Sequence, residues 1–460
     1  MSQLRPSRKP VVRPDPRHRT WARSDRFVPR RFVRPLVRFI RIETASGGVL
    51  LVAAVAAMVW ANSPWSDAYH QLFEGTRFAV ELGPLRIDQS LAEFINDGLM
   101  AIFFFVVGLE IKRELVVGEL RDPRTALLPI VAALGGMVVP AAIYVFFTSN
   151  LGAEAASGWA IPMATDIAFA VGVIALLGNR VPADGKLFVL TLAIADDLGA
   201  IAVIAIVYSS DLEVGWLLAA IFGLAATWIS QRVGIRSYAF YVPVALAIWY
   251  ATLRSGVPAT LAGVALGFLT PARSLYSGYE LDSKARTILD TFPVGTGAEK
   301  TEKSLHEAAL LSEIATESIP PLNRLENRLL PWSSFVVVPL FALANAGLDL
   351  RAQSLTELFF NPLALTIAAG LLVGKIVGIT SFAWLAVRLG WGRLPRQTNW
   401  NHIVGLAALG GIGFTVSLVI ANLAFTDPAL VNIARAGIVA GSLLSGVVGS
   451  LLLLRAHARA

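Results

Sequence analysis

The sequence predicts an all-α polytopic membrane protein of about twelve transmembrane helices. Three observations carry this. Of 460 residues, 55% are hydrophobic and only 15% charged, whereas soluble domains run near 25% charged. The mean hydropathy is +0.63. Mostly apolar runs recur along the chain between short polar loops, at the roughly 20 residues that a helix needs to cross about 30 Å of hydrocarbon. Lipid offers no partners to backbone N–H and C=O groups, so each run must satisfy them internally as a helix. The runs are continuous rather than alternating, which argues against a β-barrel.

In chain order the spans lie near 47–62, 92–112, 125–148, 158–178, 186–208, 213–230, 237–253, 257–271, 331–348, 360–387, 402–424 and 431–454. Charges at their ends alternate. After odd-numbered spans come Arg77 and Arg86 amid four acids, then Glu154, then Asp211 and Glu213, then Asp349, Arg351 and Glu357, then Asp427. After even-numbered spans come Lys112, Arg113, Arg121 and Arg124, then Arg180 and Lys186, then Arg232 and Arg236, then Arg388, Arg393 and Arg396, and finally Arg455 and Arg459. Arg254 is the one exception. The positive-inside bias puts the second set, and both termini, on the cytoplasmic side.

Residues 1–42 read as a basic cytoplasmic tail, disordered, with twelve Lys/Arg from Arg5 to Arg38 against Asp15 and Asp25. Its charge suits anionic lipid, and no nucleic-acid partner is expected. Arg30-Arg31-Phe32 resembles a twin-arginine signal, but the apolar run that follows leads into a chain embedded throughout and is read as span one. Residues 43–454 form the membrane domain, with a cytoplasmic insert at 272–330, and 455–460 form a cytoplasmic C-terminus. Within the insert, Leu305, Ala308, Leu311 and Ile314 recur at helical spacing, which fits an amphipathic surface helix or a plain tether. The absence of cysteine excludes disulfides, thiolate metal sites and a cysteine nucleophile.

Several charges stand where lipid makes them costly. Span five, LFVLTLAIADDLGAIAVIAIV, has Asp196 and Asp197 at its middle. A carboxylate at the bilayer centre costs about 2.5–3.5 kcal/mol on insertion scales. Span ten has the lone charge Lys375 at its centre, and span four holds Asp166 after Thr165. Glu110, Arg113 and Glu114 lie near the inner end of span two, where a solvated helix end and a functional cluster both fit. Adjacent aspartates are poor interhelical glue, because neighbours on a helix point about 100° apart. At most one can meet Lys375 head-on, and the other must face a cavity, a cation or a proton. Carboxylate oxygens are hard ligands, suited to a small hard cation or a proton. A site that binds either H⁺ or Na⁺, but not both, and opens alternately to each side makes an antiporter. Lys375 can neutralise a carboxylate while that site is empty.

Two spans read as interrupted. Pro162 precedes Thr165-Asp166 in span four, where proline removes an N–H and crowds the preceding turn. Span eleven contains Gly410, Gly411 and Gly413, each weakening a helix by about 1 kcal/mol relative to Ala. Spans three to five and ten to twelve then form two inverted-topology repeats, each with a broken middle helix. The two broken helices are expected to cross near the midplane, with Asp166 offsetting their positive N-terminal ends and Lys375 their negative C-terminal ends.

At these residues the chain closely resembles the NhaA-type sodium/proton antiporters of bacterial inner membranes. The resemblance runs from about 43 to 272 and from about 328 to 454, through phrases such as FINDGLMAIFFFVVGLEIKREL, ATDIAFAVGVIALLG, LAIADDLGAIAVIAI, PLFALANAG, LLVGKIVGI and GGIGFTVSL. This family is itself a standard example of the inverted-repeat design. The resemblance implies electrogenic exchange of Na⁺ or Li⁺ for entering protons, regulated by pH, without a cofactor. It implies that Asp197 is the principal sodium and proton carboxylate, with Asp196 its partner and Lys375 bridged to Asp196 when sodium is absent. Thr165 and Asp166 would form the broken-helix element, and Glu110, Arg113 and Glu114 the cytoplasmic pH-sensing cluster. It also implies a homodimer in membrane lipid, joined through the hairpin near 63–91. The tail and the insert lie outside the resemblance, and Pro258 stands where some members carry histidine.

Two other classes share single features. A sodium-coupled solute symporter would also use inverted repeats with broken helices, but needs a roomy aromatic and polar site. An intramembrane aspartic protease would also need two membrane carboxylates, but on different helices.

Overall fold

A computed structural model describes residues 43–82, 85–209, 211–292, 298–348, 350 and 358–458. The basic tail 1–42, together with Asp349, Arg351 and Glu357, lies outside the described residues. The apolar runs become helices: α1 (Glu43–Ala61), α2 (Leu91–Val116), α3 (Pro123–Thr148), α4 (Ala153–Met163), α5 (Ile167–Arg180), α6 (Ala183–Val207), α7 (Val214–Val233), α8 (Tyr238–Arg254) and α9 (Thr260–Leu269). Then follow α10 (Gly278–Asp290), α11 (Ala298–Glu317), α12 (Pro321–Asn345), α13 (Pro362–Arg388), α14 (Trp400–Leu409), α15 (Phe414–Ala424) and α16 (Pro428–Ala458).

Among the described residues, seven helices are long and apolar enough to cross a membrane: α2, α3, α6, α7, α12, α13 and α16. Two bent pairs, α4 with α5 at 43° and α14 with α15 at 48°, raise the number to nine. Helices α1 and α9 are apolar but shorter. The expected spans all coincide with helices, but length and composition alone do not bring the count to twelve.

Two features depart from the expectation. The chain is not wholly α. An antiparallel hairpin of β1 (Arg77–Leu82) and β2 (Leu85–Ser90) pairs Arg77 with Ser90 through to Leu82 with Leu85. Only the start of β2, Leu85-Arg86-Ile87-Asp88, alternates apolar and polar residues with the period of a strand; β1 runs Phe78, Ala79 and Val80 together. Arg77 Nε donates to Asp88 Oδ1 at 2.9 Å across it. The second departure is at span nine. The helix begins at Pro321, not near 331, and runs through Pro331 to Asn345. A widened turn over Ser333–Val337 follows Pro331 and leads into Val338-Pro339, where it eases the crowding that Pro339 imposes on the preceding turn.

Inside the insert the chain is helical. α11 covers the apolar spacing noted above, Ile314 is buried, and α11 packs on α10, whose Ile288 is also buried. Ser277 begins α10 with a reciprocal cap: its hydroxyl accepts from Glu280 N, and the Glu280 carboxylate accepts from Ser277 N at 2.7 Å.

The two three-helix units pack by the same pattern. In one, α3 lies on α4 and α6, and in the other α13 lies on α14 and α16. The units meet where α3 crosses α13. That crossing is close because both helices present glycine. A Cβ on Gly135 would sit 2.3 Å from the Gly378 carbonyl oxygen, and one on Gly378 would sit 2.1 Å from that of Gly135. Lys375 lies one turn before this contact, directly after a widened turn over Gly370–Gly374.

Candidate ion site

The break between α4 and α5 is an extended step at Ala164–Asp166 after a tight turn over Gly158–Met163 that contains Pro162. The break between α14 and α15 is the segment Gly410–Gly413. The two breaks touch each other. Asp166 N donates to Ile412 O at 2.5 Å, and Thr165 Oγ1 donates to Gly410 O at 2.7 Å. The glycines permit this approach. A Cβ on Gly411 would meet the Leu371 carbonyl oxygen at 2.2 Å, and one on Gly413 would meet that of Ala164 at 2.7 Å. Gly410 is less confined: its Cβ would meet first the end of the Ile379 side chain, at 3.0 Å.

The exposed helix ends find charged partners. Asp166 serves two N-termini at once. Its Oδ1 accepts from Phe169 N at 3.0 Å in α5, and its Oδ2 accepts from Thr415 N at 3.2 Å and Thr415 Oγ1 at 2.7 Å in α15. A carboxylate suits the positive end of a helix dipole, and here one carboxylate faces two. On the opposite side, the Lys375 ammonium donates to the Met163 carbonyl, at the C-terminal end of α4. Ser417 Oγ donates to Ile161 O at 2.7 Å in the same turn.

Lys375 also faces α6. Its Nζ lies 2.6 Å from Asp196 Oδ2 and 3.0 Å from Thr165 Oγ1. Thr165 stands between two acceptors: Asp196 Oδ2 and Gly410 O are each 2.7 Å from its hydroxyl. One hydroxyl has one proton to give, so it satisfies one acceptor at a time. Asp196, Asp197, Asp166, Thr165 and Lys375 are all buried. Yet Asp196 Oδ1 and Asp197 Oδ1 have no hydrogen-bond partner among the described residues. Buried polar atoms are ordinarily satisfied. Two carboxylate oxygens left over on adjacent residues are therefore an offer of hard ligands beside an ion pair.

The residues singled out from the sequence thus divide into two places. Asp196, Lys375, Thr165 and Gly410 share direct contacts, Asp166 ties the two breaks together, and Asp197 follows Asp196 on α6. Glu110 acts electrostatically on both Arg113 and Asp197 and so lies between the two places, while Arg113 and Glu114 stand apart a turn later, near the end of α2. There Arg113 is paired with Glu326 of α12 and lies 3.2 Å from Glu114 Oε1, while Glu114 Oε2 accepts from Glu119 N at 3.0 Å. Lys112 Nζ donates to Phe268 O at 2.7 Å and Thr270 O at 2.5 Å, closing the C-terminal end of α9.

Sequence reasoning missed Thr415, Met163 and Glu326. Thr415 carried a signal, since a hydroxyl two residues after a glycine break is placed to meet a helix start. Glu326 carried none that stands out in a polar stretch.

Residues 37–453 match the family described as Na+/H+ antiporter 1. A protein of Anaeromyxobacter sp. (strain Fw109-5) named Na(+)/H(+) antiporter NhaA is 49% identical over 425 residues, covering 92% of this chain and 91% of that relative. Proteins of the same name from Oleidesulfovibrio alaskensis and Nocardia farcinica are each 44% identical, over 92% and 91% of this chain and 94% and 91% of their own lengths. By a match over most of its length and these identities, the chain belongs to the Na+/H+ antiporter 1 family.

Proposed function

We propose that this protein exchanges sodium for protons across a bacterial inner membrane, with Asp196 and Asp197 as the exchanging carboxylates. One observation carries the reading: two buried, partnerless carboxylate oxygens lie beside the Lys375–Asp196 pair, where two broken helices meet. Na⁺, or Li⁺, and H⁺ compete for these oxygens. When the site holds neither, Lys375 neutralises Asp196. When the cation arrives, the carboxylates turn to it, and the Thr165 hydroxyl is left to Gly410 O. Asp166 holds the two breaks together through the cycle. Exchange is electrogenic, driven by proton entry, and proceeds by alternating access.

The full architecture is twelve spans, with α1, α8 and α9 crossing beside the nine longer ones. Their packing supports this: α1 lies on α5 and α12, α8 on α7, and α9 on α2. The repeated packing of α3–α6 and α13–α16 supports inverted repeats, and the alternating end charges support cytoplasmic termini. The β1–β2 hairpin is the dimer contact. Glu110, Arg113 and Glu114 set the pH response, joined by Glu326.

Everted membrane vesicles from an antiporter-deficient host test the exchange. Added sodium should collapse a respiration-driven ΔpH in wild type and not in Asp197→Asn. A wild-type protein present in the membrane but silent to Na⁺ and Li⁺ at every pH would sink the proposal. A response that requires an organic solute would point to symport instead.

A further inference from the structure

Away from the ion site, a cavity of about 260 Å³ opens where the turn Ser66–Gly75, the end of α12 and the α15–α16 corner meet. Its polar lining includes Tyr69, His70, Glu74, Asn422, Asn432 and Arg435. Arg435 is the unusual member. A guanidinium stays charged under all physiological conditions and presents five donors. Here Nη2 reaches only Asn422 Oδ1, at a long 3.5 Å, and Nε is buried without a partner. Among the described residues Arg435 makes no ion pair. Glu74 lines the same cavity, but its carboxylate is exposed and lies 3.3 Å from His70 Nδ1.

The neighbours are arranged to keep this cation in place and not to neutralise it. Tyr69 donates its hydroxyl to Leu343 O at 2.8 Å and contacts Ala344 O at 3.1 Å. Burial pushes the Tyr69 phenol up to about 12, so it brings no negative charge. Asn422 Nδ2 donates to Asn345 Oδ1 at 2.8 Å, and Asn345 in turn bonds Asn96 on α2, which fixes Asn422 beside Arg435. A half-satisfied, half-buried cation facing a space of this size has room for an anionic ligand, because burying a charge even in part without a partner is costly.

We propose that this cavity is a binding site for a small oxyanion, a phosphate or carboxylate group, held by the Arg435 fork with the Asn432 amide beside it. Planar two-point recognition of such groups is what arginine does best. The source is either a free anion or the headgroup of an acidic lipid, since the chemistry presented to Arg435 is the same.

The test uses the full chain, purified and reconstituted in phosphatidylcholine nanodiscs. Thermal unfolding is followed against inorganic phosphate at constant ionic strength, and against a rising fraction of phosphatidylglycerol. Saturable stabilisation by phosphate alone assigns a free anion, by phosphatidylglycerol alone a lipid headgroup, and by both the shared chemistry. Arg435→Gln should abolish the saturable part. Should that variant not fold, Arg435→Lys keeps the charge and loses the fork, and should raise the half-saturating concentration roughly tenfold, the loss of one charge-assisted hydrogen bond. No saturable effect on wild type overturns the proposal. So does an equal effect on wild type and variants, which would mean an adventitious ion only. Strong thermodynamic coupling between Arg435→Gln and Glu74→Gln, without any anion effect, would make Glu74 the natural partner and also overturn it.

Discussion

Lys375 Nζ meets Asp196 Oδ2 at 2.6 Å with both side chains wholly withdrawn from solvent, while the other oxygen of the same aspartate has no partner. A pair kept only for stability would be easy to replace, because well-packed apolar residues often hold a fold as well as a buried ion pair does. A pair with a leftover oxygen, beside a second carboxylate with another, leaves two buried acceptors unsatisfied, as the proposed exchange of sodium and protons there requires. The Thr165 hydroxyl, shared between Asp196 and the Gly410 carbonyl, then links the state of the carboxylates to the break in the facing repeat.

Asp197→Asn should separate function from folding. The substitution exchanges one carboxylate oxygen for an NH2 of similar size and removes an ionisable group whose Oδ1 has no partner, so it should not lower the unfolding temperature of the purified protein. It should abolish the stabilisation that sodium confers on wild type, since a ligand that binds only the native state raises stability by mass action. If sodium stabilises the variant as well as wild type, Asp197 is not a sodium ligand.

The Lys375–Asp196 pair should respond in the opposite way. Lys375→Ala alone strands Asp196 in the interior, at a cost of about 3–5 kcal/mol. The double variant Asp196→Asn, Lys375→Met should recover most of that loss, yet remain inactive in vesicles. Thermal unfolding of the three proteins and a ΔpH assay give both readouts. Recovery of transport in the double variant would show that the pair is dispensable for exchange.

The three glycines of the second break should not be equivalent. Gly411→Ala and Gly413→Ala force a Cβ to within 2.2 and 2.7 Å of the Leu371 and Ala164 carbonyl oxygens. Backbone cannot give way cheaply, so each should cost at least about 1–3 kcal/mol, the usual range for overpacking. Gly410→Ala meets the flexible end of Ile379 at 3.0 Å and the Ala407 carbonyl oxygen no closer than 3.2 Å, and should be better tolerated. Expression level and melting temperature would rank them. Equal tolerance at all three positions would mean that the glycines serve flexibility and not close contact.

What could be read in the sequence follows from contrast. Asp196, Asp197 and Lys375 stand out because a charge inside an apolar run costs several kcal/mol and needs a reason. Pro162 and the glycines stand out because they punctuate helices. The pairing of Lys375 with Asp196, 179 positions apart, has no local signature and is reached only through the family resemblance, because packing makes it. The β1–β2 hairpin lies in the stretch near 63–91 that only the resemblance gives as a hairpin, because Phe78-Ala79-Val80 breaks the alternation that would mark a strand. Span nine is read from about 331, where the continuous apolar run begins, whereas the helix itself starts at Pro321 in a polar stretch. Glu326 was invisible for the converse reason to Asp197: an acid among Arg324, Asn327 and Arg328 has no contrast.

That hidden residue makes the last prediction. Glu326 is 6% exposed and paired with Arg113, so α12 is tied to the cluster at the end of α2. Arg113→Gln leaves Glu326 buried without its cation, and Glu326→Gln frees Arg113 to lean on Glu114. Neither residue touches the Asp196–Lys375 pair, so each variant should keep a maximal exchange rate within about threefold of wild type, a barrier change under 1 kcal/mol. Each should instead move or flatten the pH profile of exchange. The charge swap Arg113→Glu with Glu326→Arg should bring the profile back towards wild type, because the pair is re-formed in reverse. Exchange rates measured from pH 6 to 9 decide the matter. Profiles that superimpose on wild type in both single variants would make the pair a structural clasp between α2 and α12, with no part in the pH response.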